Sequence, residues 1–233
     1  MLKNELNIRN PLRSLGCGDS DILAEGSFGA VMAPVGVGKT AFLVQLAINA
    51  MLEDKNVLHV SMAEPINKVG LWYEKLFRDF AGQHNFKNGE QILEEILPHR
   101  FIMSFKVEGF SVPKLEERLT DLTAQGVFRP DIIVIDRFPF GGPAREPLMA
   151  LKEFARKKRL RIWFSVTTHR HEPLTAEGLP AALANIDDLY DVILQLEPSC
   201  SDVVIKPFRG VKLEGQQGNL SLDPATMLLR SAC

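Results

Sequence analysis

Residues 30–50 read AVMAPVGVGKTAFLVQLAINA, and this stretch decides how the chain folds. A short apolar run leads into Ala33-Pro34-Val35-Gly36-Val37-Gly38-Lys39-Thr40, and residues of helical character continue from there. Strand, glycine-bearing turn and helix in that order predict a loop whose backbone N–H groups converge on an anion, with a helix N-terminus behind them. Gly36, Val37, Gly38, Lys39 and Thr40 supply those N–H groups. Lys39 is expected to reach the β- and γ-phosphates of a nucleotide, and the Thr40 hydroxyl to reach Mg²⁺. Counting both flanks, the nucleotide-contacting positions run from Ala33, Pro34 and Val35 through to Ala41. An alanine stands at position 33 where the usual pattern has its first glycine. That position mainly leaves the strand, and Pro34 lacks an N–H where phosphate needs none, so the loop is still expected to grip.

Such a loop needs a carboxylate to steady the metal shell. The run DIIVIDRFPF offers Asp136 at the end of an apolar strand, where a parallel sheet delivers side chains to its ligand-binding rim. The alternative for Asp136 is a cap for the following loop; with Lys39 upstream, the metal role is preferred.

Apolar strand-like runs alternate with helix-like segments along most of the chain. Strands are predicted at 29–32, 57–61, 101–104, 132–135, 162–166 and 192–196, then 203–205 paired with 220–222. Helices are predicted at 39–53, 69–80, 91–96, 112–125, 146–158 and 179–187. Continuous apolar strands, IIVI above all, suit a mainly parallel sheet covered on both faces, and the alternation gives an α/β architecture. The short late strands around EGQQG suggest an antiparallel hairpin at one edge. Residues 1–24 read as a polar arm and 25–233 as one domain, with no internal repeat or low-complexity linker.

Composition narrows the class. The net charge of −2 gives no general attraction to nucleic acid or membrane. Three cysteines, Cys17, Cys200 and Cys233, are far apart and form no metal-ligand spacing, which favours a reduced cytoplasmic protein. No leader pattern is visible, and no run approaches the roughly 18 apolar residues of a membrane span. The basic run 156–161 falls where a helix ends, a place that favours cations, so a solvated helix end explains it better than a nucleic-acid patch. LWYEKLF places Leu71, Trp72, Lys75 and Leu76 at helical spacing and reads as core packing rather than base stacking.

The loop, then VLHVSMAEP, PDIIVID, SVTTHR and LYDVILQLEP with VVIKPFRG, follow one another as they do in RecA-like ATPases. The chain resembles most closely the branch containing KaiC, RadA and the DnaB helicase, over roughly residues 15–230. The resemblance implies a RecA-like P-loop NTPase fold, with the RIWFSVTT strand inserted between the loop strand and the Asp136 strand. It also implies ATP and Mg²⁺ as ligands and a homo-oligomer, ring or filament. Thr167, Thr168 or His169 would then sense the γ-phosphate, His169 having a plain surface-loop role as its alternative.

A glutamate after the second strand polarises the attacking water in the family. Here Glu64 is the candidate, displaced by one residue because Ala63 stands where many relatives carry an acid. Glu64 can equally favour the start of the helix entering at Pro65. Lys206 and Arg209 match the late-strand pair that reaches a neighbouring subunit's nucleotide, worth about 10³- to 10⁵-fold in rate; an exposed basic hairpin is the alternative. The family's channel loops correspond to segments holding Arg137, Arg145 and Arg170, and three scattered arginines do not establish nucleic-acid binding.

The expected function is hydrolysis of Mg·ATP by water attack on the γ-phosphate, coupled to work the sequence does not reveal. An ATP-dependent switch with little hydrolysis is the second hypothesis, motivated by Ala63. A small-molecule kinase ranks last, because no arginine-rich lid lies between the motifs.

Overall fold

A strand buried on both faces has to be apolar at every position, and residues 132–135 meet that condition. Ile132 and Val134 join one apolar cluster, Ile133 and Ile135 another, and none is more than 8% exposed. The structure is a computed structural model and describes residues 22–86, 88–140, 144–169, 175, 178–211 and 220–231. In chain order the elements are β1 (Phe28–Ala33), α1 (Lys39–Leu52), β2 (Val57–Ser61), α2 (Ile66–Gln83), α3 (Gly89–Ile96) and β3 (Arg100–Ser104). They continue as α4 (Val112–Ala124), β4 (Ile132–Asp136), α5 (Arg145–Lys158), β5 (Arg161–Thr167), β6 (Val192–Pro198), β7 (Val203–Arg209), β8 (Leu220–Leu222) and β9 (Leu229–Ser231).

The described strands form one sheet in the order β3-β2-β4-β5-β1-β6-β7-β8-β9. From β3 to β6 every neighbouring pair is parallel, and from β6 to β9 every pair is antiparallel. The fold is therefore α/β, with a mostly parallel central sheet and antiparallel C-terminal strands. Helices α1, α2 and α3 cover one face, while α4 and α5 cover the other. The RIWFSVTT strand, β5, lies between β1 and β4. Chain leaving β1 crosses over to β2, whereas chain leaving β5 passes to the other side of β1 to make β6. Such a reversal opens a crevice at the carboxyl ends of the strands.

Three features differ from the sequence expectations. Residues 179–187 form no α-helix. Their backbone makes successive tight bonds, Leu183 N–H to Pro180 C=O at 2.9 Å and Ile186 N–H to Leu183 C=O at 3.0 Å, before a 3₁₀ turn at Asp187–Leu189. Leu179, Leu183 and Ile186 are still buried, so the apolar spacing is real. The carbonyls of Asn185 and Asp187, however, accept from Arg145 and Arg209 instead of from helix N–H groups. Second, a further edge strand, β9, pairs with β8; three residues of LRS carry too little periodicity to be read as a strand. Third, of the α2 residues expected to pack in the core Leu76 is buried, but Leu71 is 62% exposed, Trp72 reaches the crevice and Lys75 pairs with Asp79 at the surface.

The expected arm, residues 1–24, lies outside the described residues up to position 21; Leu23 already belongs to the core. EGQQG also lies outside them. Helix α5 ends in Arg156, Lys157 and Lys158, cations that suit a helix C-terminus. No helix among the described residues is long and apolar enough to cross a membrane.

Glycine at position 29 is set by its neighbour across the sheet. Gly29 pairs with Trp163 of β5, and a Cβ there would lie 2.5 Å from the indole ring. Gly29→Val is expected to overpack this site and cost about 1–3 kcal/mol of stability, read as a lower midpoint in denaturant unfolding with an unchanged slope.

Candidate functional site

The carboxyl ends of β1, β4 and β5 converge on the turn between β1 and α1. Within that turn Gly36 has φ 82° and Gly38 has φ 106°, left-handed values that glycine adopts without strain. A Cβ at Gly38 would also meet Leu222 Cδ1 at 3.1 Å and Met227 Sδ at 3.3 Å. Gly38 precedes α1 with no side-chain cap, and the first turn of α1 holds no acidic residue. The first N–H groups of a helix have no partner within it, so here they are left to an outside acceptor.

Lys39 folds back over this turn. Its Nζ donates to the carbonyls of Ala33 at 2.8 Å and Pro34 at 2.9 Å, and the residue is 8% exposed. Burial pulls the ammonium pKa down to about 8, with Asp136 pulling upward and Arg137 pushing further down. The Ala33 carbonyl also accepts from Thr168 N–H at 3.0 Å. Position 33 therefore contributes through its backbone, which explains why alanine serves.

Asp136 is 3% exposed and holds the centre. The Thr40 hydroxyl donates to its Oδ2 at 2.8 Å, and the Ser165 hydroxyl to its Oδ1 at 2.5 Å. Ser165 Oγ in turn accepts from Arg137 N–H at 2.7 Å. Arg137 itself has φ 62°, a left-handed conformation that costs a non-glycine residue about 1–2 kcal/mol. Around these groups lies a cleft of about 640 Å³, with Trp72, Phe138, Phe140 and Met227 among its apolar walls.

Of the residues singled out in the sequence, Val35, Gly36, Gly38, Lys39, Thr40, Ala41, Asp136 and His169 line this cleft together. Ala33 and Pro34 act behind it through their carbonyls; Val37 packs against the core. Thr167 lines the cleft, whereas Thr168 does not. Glu64 is not among the lining residues: its carboxylate pairs with Lys68 at 2.8 Å, and its N–H donates to Ser61 Oγ at 3.0 Å. Lys206 pairs with Glu197, and Arg209 donates to the carbonyl and carboxylate of Asp187 at 2.5 and 2.7 Å. Arg145 is bidentate on Asp188 at 2.7 and 2.8 Å, and Arg170 lies outside the described residues.

The sequence reading passed over Ser165 as an orienting group. A serine inside an apolar strand, two residues before its end, was the available signal. In the sequence Arg137 figures only as a channel-loop cation that could touch nucleic-acid phosphates, not as a group lining the cleft.

Among the described residues no cluster of three or more His, Cys, Asp or Glu could hold a metal. One carboxylate and one hydroxyl in contact at a phosphate-ready turn still fit Mg²⁺, which keeps several waters and takes few protein oxygens beside substrate phosphates. No protein-family model matches the chain, and no curated protein matches it.

Between β2 and α2 lies a buried polar pair. His59 is fully buried, with Nδ1 3.1 Å from the Tyr73 hydroxyl and Nε2 without a partner among the described residues. Burial pushes its pKa down to about 4; Asp136 pulls it up and Arg100 pushes it down. A folded-state pKa below the ordinary value of 6.5 favours the neutral ring, so its contribution is complete above that pH. Stability is expected to fall as pH drops from roughly 6.5 towards 4, by about 1 kcal/mol per pH unit. Unfolding titrations across that range should show the slope, and His59→Leu should flatten it.

Proposed function

We propose that the chain is a RecA-like P-loop ATPase that binds Mg·ATP in this cleft and hydrolyses it by attack of water on the γ-phosphate. The observation that carries the reading is the contact between the Thr40 hydroxyl and the Asp136 carboxylate, beside a buried Lys39 and an uncapped helix. These groups come from positions 96 residues apart, with β5 standing between their strands.

In this reading the Lys39 ammonium exchanges its two carbonyl acceptors for β- and γ-phosphate oxygens, and the N–H groups of residues 36–40 bind the same anion. Thr40 and Asp136 would hold the magnesium ion, which supplies charge neutralisation at the phosphates. Ser165 fixes the orientation of Asp136. Glu64 polarises water after exchanging Lys68 for the substrate, and Thr168 or His169 senses the product. Lys206 and Arg209 serve a neighbouring subunit of a homo-oligomer once they part from Glu197 and Asp187. Catalysis of this kind is positioning plus electrostatic stabilisation.

A second reading, an ATP-dependent switch with little hydrolysis, is favoured by one observation. Asp136 is the single carboxylate among the described residues lining the cleft, and Glu64 is engaged elsewhere.

Equilibrium binding of ATP with magnesium and phosphate release against protein concentration test both. Lys39→Ala is expected to weaken binding about 10- to 100-fold, the worth of a charge-assisted bond. Wild-type turnover should rise faster than linearly with protein, while Arg209→Ala should stay near the dilute rate and Glu64→Gln should lose turnover with binding retained. Binding without phosphate release at any concentration selects the switch. No affinity for any nucleoside triphosphate rejects both readings.

A further inference from the structure

The strand that delivers Asp136 breaks its own alternation immediately afterwards. In an extended strand Asp136 and residue 138 would share a face, with residue 137 turned to the opposite side. Instead Phe138 packs in the cluster that contains Ile135, 5.7 Å from Phe164 and 4.8 Å from Phe140 between ring centroids. Arg137, in its left-handed conformation, lines the cleft beside Asp136 and Lys39. The kink is pinned on both sides, by the Arg137 N–H bond to Ser165 Oγ and by the burial of Phe138.

A long charged side chain has therefore been turned out of strand register and into the cleft by a backbone conformation that L residues rarely adopt. Lys39 and Arg137 are the lysine and arginine lining the cleft among the described residues, against the one carboxylate of Asp136. Unlike Lys206, Arg209 and Arg145, Arg137 makes no ion pair among the described residues. We propose that Arg137 is a phosphate ligand in cis, its guanidinium placed by the kink after β4 to bind the terminal phosphate of a nucleoside triphosphate. A planar guanidinium matches a phosphate edge with two parallel bonds, which a terminal phosphate, with more free oxygens than a bridging one, accepts best. The consequence is discrimination between triphosphate and diphosphate within a single chain.

This inference rests on reading the cleft as a nucleoside triphosphate site. The test is the affinity of wild type, Arg137→Gly and Arg137→Lys for ATP and for ADP, each with magnesium. Glycine adopts φ 62° without strain, so Arg137→Gly should melt at or above the wild-type temperature. Expected is a loss of about 10- to 100-fold in ATP affinity with ADP affinity unchanged, and partial recovery in Arg137→Lys, which keeps the charge and loses the fork. Equal losses for both nucleotides, or no loss for either, with wild type binding normally, overturn the role of Arg137 alone. Wild type that binds neither nucleotide overturns the nucleotide reading, and this role falls with it.

Discussion

One buried carboxylate fixes the geometry of this molecule's working end. Asp136 is almost wholly removed from water, and a charge in that position is tolerated only when its oxygens are occupied. Its two donors are the hydroxyls of Thr40 on α1 and Ser165 on β5, so a single side chain ties together the turn after β1, the end of β4 and the end of β5. Removing either hydroxyl would leave an acceptor desolvated and unpaired, which costs more than the bond itself contributes. The same charge also acts on Lys39 and on His59, two buried bases whose pKa values burial lowers and Asp136 pulls back up. Sheet register, turn closure and cleft electrostatics therefore share one anchor.

Much of the architecture was legible because burial on both faces leaves a plain trace. Runs such as IIVI have few alternatives once helices flank them, and β2 and β8 span the expected residues. The strand order was not legible from periodicity; the placement of β5 came from resemblance of motifs. Residues 179–187 misled because 3₁₀ turns and α-helices bury nearly the same spacing of apolar side chains. What separated them was the competition of Arg145 and Arg209 for backbone carbonyls, contacts spanning 40 and 22 residues. The site divides in the same way. Lys39, Thr40 and Asp136 announce themselves by type and spacing, whereas the orientation of Arg137 depends on the sign of one φ angle. Nothing in RFPF declares that sign.

The residues assigned to the proposed site fall into two energetic classes. Among Asp136, Thr40 and Ser165 the contacts are buried or part-buried. The pairs Glu64–Lys68, Lys206–Glu197 and Arg209–Asp187 involve side chains that are a fifth to more than half exposed. Exposed pairs of that kind contribute about 0–1 kcal/mol. On the proposed reading, a phosphate oxygen or a neighbouring subunit would offer a charged partner of comparable or greater strength, so exchanging such a pair would require little free energy. Under that reading, the parts that would hold still are held by buried bonds, and the parts that would change partner are held by weak ones. Arg137 belongs to neither class: its backbone is fixed by Ser165 and Phe138, while its guanidinium carries no ion pair among the described residues. On the proposed reading, a cation that lines the cleft with no ion pair among the described residues would meet an incoming phosphate without first breaking one.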